Sequence, residues 1–163
     1  FPKCKACPSG YFISDPGIDE KKHQVQGDCL ICASGQISDP GSQFCYACAV
    51  GRRSYVNQTN NRSSCIECSA GFYQDTTEGS SACKECNAGM YQNVQAKPFC
   101  LPCVPGFYQN LNAQSGCKTC EDGQYRPDKN EDGTVADPTI CLQCPAGKYQ
   151  NEKGLAICLP CIP

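Results

Sequence analysis

The chain has 163 residues, with 18 cysteines, no tryptophan and a formal net charge of -2. Cysteine at about 11 per cent is the level of a secreted disulfide scaffold, and charges of mixed sign near neutrality exclude the broad basic face that nucleic acid or an anionic membrane requires. No run of about 18 or more apolar residues is present to span a bilayer.

All the cysteines fall into nine Cys-x-x-Cys pairs: Cys4/Cys7, Cys29/Cys32, Cys45/Cys48, Cys65/Cys68, Cys83/Cys86, Cys100/Cys103, Cys117/Cys120, Cys141/Cys144 and Cys158/Cys161. From one leading cysteine to the next the steps are 25, 16, 20, 18, 17, 17, 24 and 17 residues. This is a repeat array in one continuous domain over 1–163, with units at 4–28, 29–44, 45–64, 65–82, 83–99, 100–116, 117–140 and 141–157 and a partial unit at 158–163. A unit of about 17 residues buries too little apolar surface to offset the entropy of ordering it, so each repeat needs a covalent staple. A disulfide closing a loop of about 15 residues supplies roughly 3 kcal/mol in the chain-entropy picture. Because cysteine pairs begin and end the chain, the expectation is a window cut from a longer array.

Within each unit a glycine stands three residues after the second cysteine: Gly10, Gly35, Gly51, Gly71, Gly89, Gly106, Gly123 and Gly147. Two residues further comes a mostly aromatic position, held by Phe12, Ile37, Arg53, Tyr73, Tyr91, Tyr108, Tyr125 and Tyr149, with Tyr55 standing in for Arg53. The glycine predicts a tight turn, the next residues a short extended segment, and the ring a cover for the adjacent disulfide. Several units continue as Tyr-Gln-Asn or Tyr-Gln-Asp. The expected fold is small and disulfide-rich: an elongated tandem array of short β-ribbon and turn repeats with little helix.

Three units carry insertions at one place, between the aromatic and the next pair: Asp15 to Gln26, Val56 to Ser64, and Pro127 to Thr139. Such loops are expected to project from one face, since lengthening them costs little closure entropy. The first holds the charged cluster Asp19 to His23. The second holds two glycosylation acceptors, Asn57-Gln58-Thr59 and Asn61-Arg62-Ser63. The third resembles an EF-hand-type calcium loop through Asp128, Asn130, Asp132 and Gly133, with Asp137 completing a partial site; Thr139 replaces the bidentate glutamate, and no flanking helix fits between the cysteines. An acidic solvated turn explains the same residues, and both readings stand.

Sequence alone does not fix how the cysteines pair. Rings within each Cys-x-x-Cys, crosswise joining of successive pairs, and structural zinc all remain open, although the single histidine, His23, lies in an insertion. The arrangement that is uniform along the array joins the second cysteine of each pair to the first of the next: Cys7–Cys29, Cys32–Cys45, Cys48–Cys65, Cys68–Cys83, Cys86–Cys100, Cys103–Cys117, Cys120–Cys141 and Cys144–Cys158. It leaves Cys4 and Cys161 to pair outside the fragment.

The unit Cys-Pro-x-Gly-x-Tyr, a polar loop, then Cys-x-x-Cys, seen at Cys144-Pro145-Ala146-Gly147-Lys148-Tyr149 to Cys158-Leu159-Pro160-Cys161, resembles the ephrin-receptor-like cysteine-rich repeat. It also resembles the first module of tumour-necrosis-factor-receptor cysteine-rich domains. The resemblance implies a ladder of small disulfide loops with the same second-to-next-first pairing. Receptor modules intersperse longer six-cysteine units, whereas the minimal unit repeats alone here. Uniform arrays of this kind are similar to those of large surface and flagellar-hair (mastigoneme) proteins of microbial eukaryotes, which implies a building role.

No catalytic constellation is present, so the chain is read as non-enzymatic, with no cofactor required beyond a candidate calcium. The expected role is that of a structural, glycosylated extracellular rod, a spacer or building unit of a cell-surface or flagellar filament. Each repeat is expected to touch only its neighbours. The partners implied are further copies or other extracellular fibre proteins, together with N-linked glycans, with no nucleic acid and no membrane insertion by this segment. The alternative is the ligand-binding stalk of a cell-surface receptor, with specificity at Asp19 to His23 or at Arg52 and Arg53.

Overall fold

Each repeat opens with a four-residue turn in the computed structural model, which describes residues 6–14, 28–57, 59–60 and 62–162. The carbonyl after the second cysteine accepts from the N–H after the glycine: Ser69 from Phe72 at 3.0 Å, Val104 from Phe107 at 3.0 Å, Pro145 from Lys148 at 3.0 Å. Gly71, third in its turn, has a φ of 85°, the left-handed conformation that a type II turn needs there. The chain leaves the turn extended and pairs with the two residues inside the next Cys-x-x-Cys.

The products are short antiparallel ribbons. Strands β1 (Tyr11–Phe12) and β2 (Leu30–Ile31) pair, as do β3 (Gln36–Ile37) and β4 (Tyr46–Ala47), and β5 (Arg52–Asn57) and β6 (Arg62–Glu67). The series continues with β7 (Phe72–Tyr73) and β8 (Lys84–Glu85), β9 (Met90–Tyr91) and β10 (Leu101–Pro102), and β11 (Phe107–Tyr108) and β12 (Lys118–Thr119). It closes with β13 (Gln124–Tyr125) and β14 (Leu142–Gln143), then β15 (Lys148–Tyr149) and β16 (Leu159–Pro160). At the far end of each ribbon the N–H of the next pair's second cysteine returns to the glycine carbonyl, as in Cys86 to Gly71 and Cys103 to Gly89, both 2.9 Å.

The disulfides join Cys7–Cys29, Cys32–Cys45, Cys48–Cys65, Cys68–Cys83, Cys86–Cys100, Cys103–Cys117, Cys120–Cys141 and Cys144–Cys158. Their Cα separations run from 5.6 to 5.8 Å, so the ribbon holds both cysteines at bonding distance without distortion of its frame. Cys4 lies outside the described residues, and Cys161 is free and exposed.

The described residues form two units, one within 1–68, 74–83 and 96–98, the other within 69–73, 84–95 and 99–163. In both, the core is a file of second cysteines: Cys7, Cys48, Cys68, Cys86, Cys103 and Cys120 are buried, while their partners are half-buried. Beside them lies an unexpected set, the residue after each aromatic. Gln74, Gln92, Gln109 and Gln150 are at most 5 % exposed. A buried amide must be hydrogen-bonded, and each of these is bonded twice. The Gln92 Nε2 donates to the Phe99 carbonyl at 2.8 Å, and its Oε1 accepts the Val94 N–H at 3.0 Å. Gln74, Gln109 and Gln150 do the same within their own loops.

The backbone of this residue joins successive loops. Its carbonyl accepts the preceding loop's glycine N–H: Gln74 from Gly51 in the first unit, and Gln92 from Gly71, Gln109 from Gly89, Arg126 from Gly106 and Gln150 from Gly123 in the second, at 2.6 to 2.9 Å. Its own N–H goes forward, as in Gln92 to the Gln114 carbonyl. In the first unit Ser38 takes the place of glutamine, and Ser9 and Ser63 both donate their hydroxyls to its carbonyl, at 2.8 and 3.0 Å.

Three expectations need correction. Contacts reach past the neighbouring repeat, because a methyl group on Gly71 would collide with the Ala113 carbonyl, two loops further on. Tyr55 does not stand in for Arg53: the pair Arg53↔Ile66 keeps the frame position, and Tyr55 lies opposite Ser64. The insertion Val56 to Ser64 is drawn into the hairpin, whose strands reach six residues where the others have two, so it is a longer ribbon more than a projecting loop. Each ring faces the first residue inside the next cysteine pair, Tyr91 against Leu101 and Tyr125 against Leu142. Tyr73 and Tyr108 carry Lys84 and Lys118 over their faces at 5.8 and 5.7 Å.

Replacing Gln92 with alanine strands the Val94 N–H and the Phe99 carbonyl, a loss of about 2 kcal/mol. Amide exchange at Val94 is expected to speed up accordingly, and unchanged protection there would remove glutamine from its assigned place. Gly71→Ala and Gly123→Ala both force a side chain into positive φ, costing roughly 1–2 kcal/mol each. Only Gly71→Ala also meets backbone, since nothing lies within 4 Å of the position at Gly123. Urea denaturation should therefore show the larger loss for Gly71→Ala; equal losses would contradict the second-neighbour contact.

Candidate functional site

Two segments depart from the repeating frame among the described residues, and they carry most of the candidate functional residues. The first is the β5–β6 hairpin. Side chains alternate across a strand, so Arg53, Tyr55 and Asn57 share one face, and Arg52, Ser54 and Val56 the other. Arg52 is spent on Glu67, across the ribbon at 2.8 Å, with both side chains close to half exposed. Arg53 lies over the Tyr55 ring at 5.7 Å. The two arginines therefore make separate contacts on opposite faces instead of one basic patch.

Asn57 ends β5, and its Oδ1 accepts the Thr59 N–H at 2.8 Å. Thr59 and Asn60 are exposed at the tip, where the Asn60 Oδ1 accepts the Arg62 N–H at 3.1 Å. Asn61, like the cluster Asp19 to His23, lies outside the described residues.

The second segment is the insertion from Pro127 to Thr139. It enters from Arg126, which holds the glutamine position and is 4 % exposed. Its guanidinium reaches back to the preceding loop, donating from Nε to the Phe107 carbonyl and from Nη2 to the Cys103 carbonyl at 2.6 Å. Burial draws the Arg126 pKa down, and the charges of Asp128 and Asp137 oppose that shift. Their place in the insertion is thus partly explained by a buried cation beside them.

The acidic side chains mostly serve their own turns. Asp132 Oδ1 accepts from the Thr134 hydroxyl at 2.6 Å and the Thr134 N–H at 2.9 Å, and Asp137 Oδ1 accepts the matching pair from Thr139. These bonds hold both carboxyls below their ordinary pKa. Asn130 donates to the Thr134 hydroxyl at 2.9 Å. Among the described residues no group of three His, Cys, Asp or Glu side chains stands close enough to hold a metal ion.

Shallow grooves flank both segments. One of about 390 Å³ in the first unit is lined by Ser9, Tyr11, Ile31, Ser54, Val56 and Ser63; one of about 530 Å³ in the second by Tyr125, Lys129, Leu142, Lys148 and Ile157, among others.

The joint glutamines escaped sequence reasoning, although Tyr-Gln recurs at Tyr73, Tyr91, Tyr108 and Tyr149. Glutamine is usually a surface residue, so a polar loop was the natural reading. Its recurrence at one offset from the cysteine was the available signal.

Residues 54–97 match the family described as tyrosine-protein kinase ephrin type A/B receptor-like. The match spans about a quarter of the chain and takes in the hairpin from Ser54 and the loops closed by Cys68–Cys83 and most of Cys86–Cys100. No curated protein matches the chain. Among the described residues no helix is long and apolar enough to cross a membrane. The disulfides and this match together point to a module of the extracellular kind. Residues 54–97 match the ephrin-receptor-like cysteine-rich family, and they are set in a tandem array of disulfide-closed hairpins.

Proposed function

We propose that the chain is a structural, glycosylated segment of an extracellular protein, serving as spacer or building unit of a surface or flagellar filament, with sugars on Asn57 and Asn61. The observation that carries this reading is the joint: a glycine N–H to the next loop's carbonyl, repeated from Gly51 through Gly123. Uniform joints suit a part whose length matters, because adding units extends it without changing the chemistry of any unit. Exposed apolar side chains stand just before the leading cysteine at Phe44 in the first unit and at Phe99, Ile140 and Ile157 in the second, and offer self-association apolar contacts.

The ephrin-receptor-like match favours a second reading, the stalk of a cell-surface receptor. The two part in solution. A building unit assembles as concentration rises, so sedimentation velocity on the glycosylated chain is expected to show growing species from micromolar to millimolar concentration, with filaments visible by electron microscopy. A monomer throughout that range would leave the stalk as the better account.

A further inference from the structure

Tyr55 is an aromatic outside the frame position of its repeat. The frame position of its unit belongs to Arg53, opposite Ile66, and Tyr55 stands one step outside it. It is 41 % exposed, although a ring of this size gains most when covered. Across the ribbon stands Ser64, too small to cover it. Arg53 takes one ring face at 5.7 Å. Two residues further on, pointing to the same side of the same strand, is Asn57, the first residue of Asn57-Gln58-Thr59.

The local geometry suits modification of that asparagine. Its Oδ1 is held by the Thr59 N–H at 2.8 Å, while among the described residues nothing accepts from its Nδ2. The site is at the tip of the hairpin with the longest strands among the described residues, next to the exposed Thr59 and Asn60.

We propose that Asn57 carries an N-linked glycan whose first N-acetylglucosamine stacks on the Tyr55 ring, on the face opposite Arg53. In the attachment step the Asn57 Nδ2 bonds to the anomeric carbon of a lipid-pyrophosphate-linked oligosaccharide. The bond from that carbon to the pyrophosphate oxygen breaks, the lipid pyrophosphate leaves, and one amide proton passes to a base of the transferase. The sugar's C–H bonds then lie over the electron-rich ring, an attraction of the same origin as edge-to-face aromatic contact. Arg53, ring and sugar form a three-layer stack along β5. The stack covers an otherwise wet ring and tethers the hairpin tip to its own strand.

The proposal rests on the extracellular reading and on no particular partner. The test is the full chain secreted from a eukaryotic host that attaches N-glycans, carrying Asn61→Gln so that one acceptor remains, and trimmed enzymatically to the first sugar. Peptide mass spectrometry should find Asn57 modified. Proton resonances of the sugar should lie upfield from the ring current, keep that position in Tyr55→Phe and return to ordinary values in Tyr55→Leu, which preserves apolar bulk and hence folding. Amide exchange at Tyr55 should slow several-fold with the sugar, and not in Tyr55→Leu. An unmodified Asn57 overturns the proposal and its glycosylated premise together. A modified Asn57 whose sugar shifts ignore residue 55 overturns the stacking alone.

Discussion

The hydrogen bond from a repeat's glycine N–H to the carbonyl of the residue after the next aromatic organises everything else. It requires a bare N–H at a positive-φ turn, so the glycine is fixed relative to the cysteine. It also requires an acceptor carbonyl drawn inward, which drags its side chain into the core. Glutamine answers because its amide supplies both a donor and an acceptor to a loop that would otherwise leave its own N–H and carbonyl bare. The disulfide closes the loop covalently, while the glutamine gives that loop a defined conformation.

Departures from glutamine show how the constraint is met by other means. At Ser38 the side chain is too short to span the loop and donates to the Tyr11 carbonyl, while its own carbonyl accepts the Gly10 N–H together with hydroxyls from Ser9 and Ser63. At Arg126 the side chain turns backwards to carbonyls of the previous loop, and its charge is offset by Asp128 and Asp137. The charges of Asp128 and Asp137 thus favour the charged form of the buried arginine, and Asp132 and Asp137 accept from hydroxyls of their own turns, local work that a calcium-loop pattern does not reveal.

The cysteine frame, the turn at each glycine and the short ribbons were legible because they repeat, and repetition makes spacing meaningful in a single sequence. The pairing of Cys68 with Cys83 and of Cys86 with Cys100 is the second-to-next-first arrangement that the family resemblance implies and that runs uniformly along the array. What stayed hidden was the side-chain bonding of polar residues. Nothing in Tyr-Gln distinguishes a buried amide from a wet one, and nothing in Asp128 to Thr139 indicates that the hydroxyl two positions after Asp132 and after Asp137 would occupy each carboxylate. The second-neighbour packing of Gly71 on Ala113 was hidden too, since it depends on how one joint is angled to the next.

The direction of the disulfides has a mechanical consequence. Each bridge leaves the second cysteine of one pair and lands on the first of the next, across 13 to 22 residues of sequence. From Cys7 to Cys158 there is thus a covalent route made only of bridges and the two residues inside each pair, and every loop hangs beside it. Tension applied along the chain runs through that route and bypasses the turns, the glutamines and the hairpin tips. Their hydrogen bonds can rupture and re-form without the tether growing longer than the route allows, and only reduction of a bridge releases the slack stored in its loop.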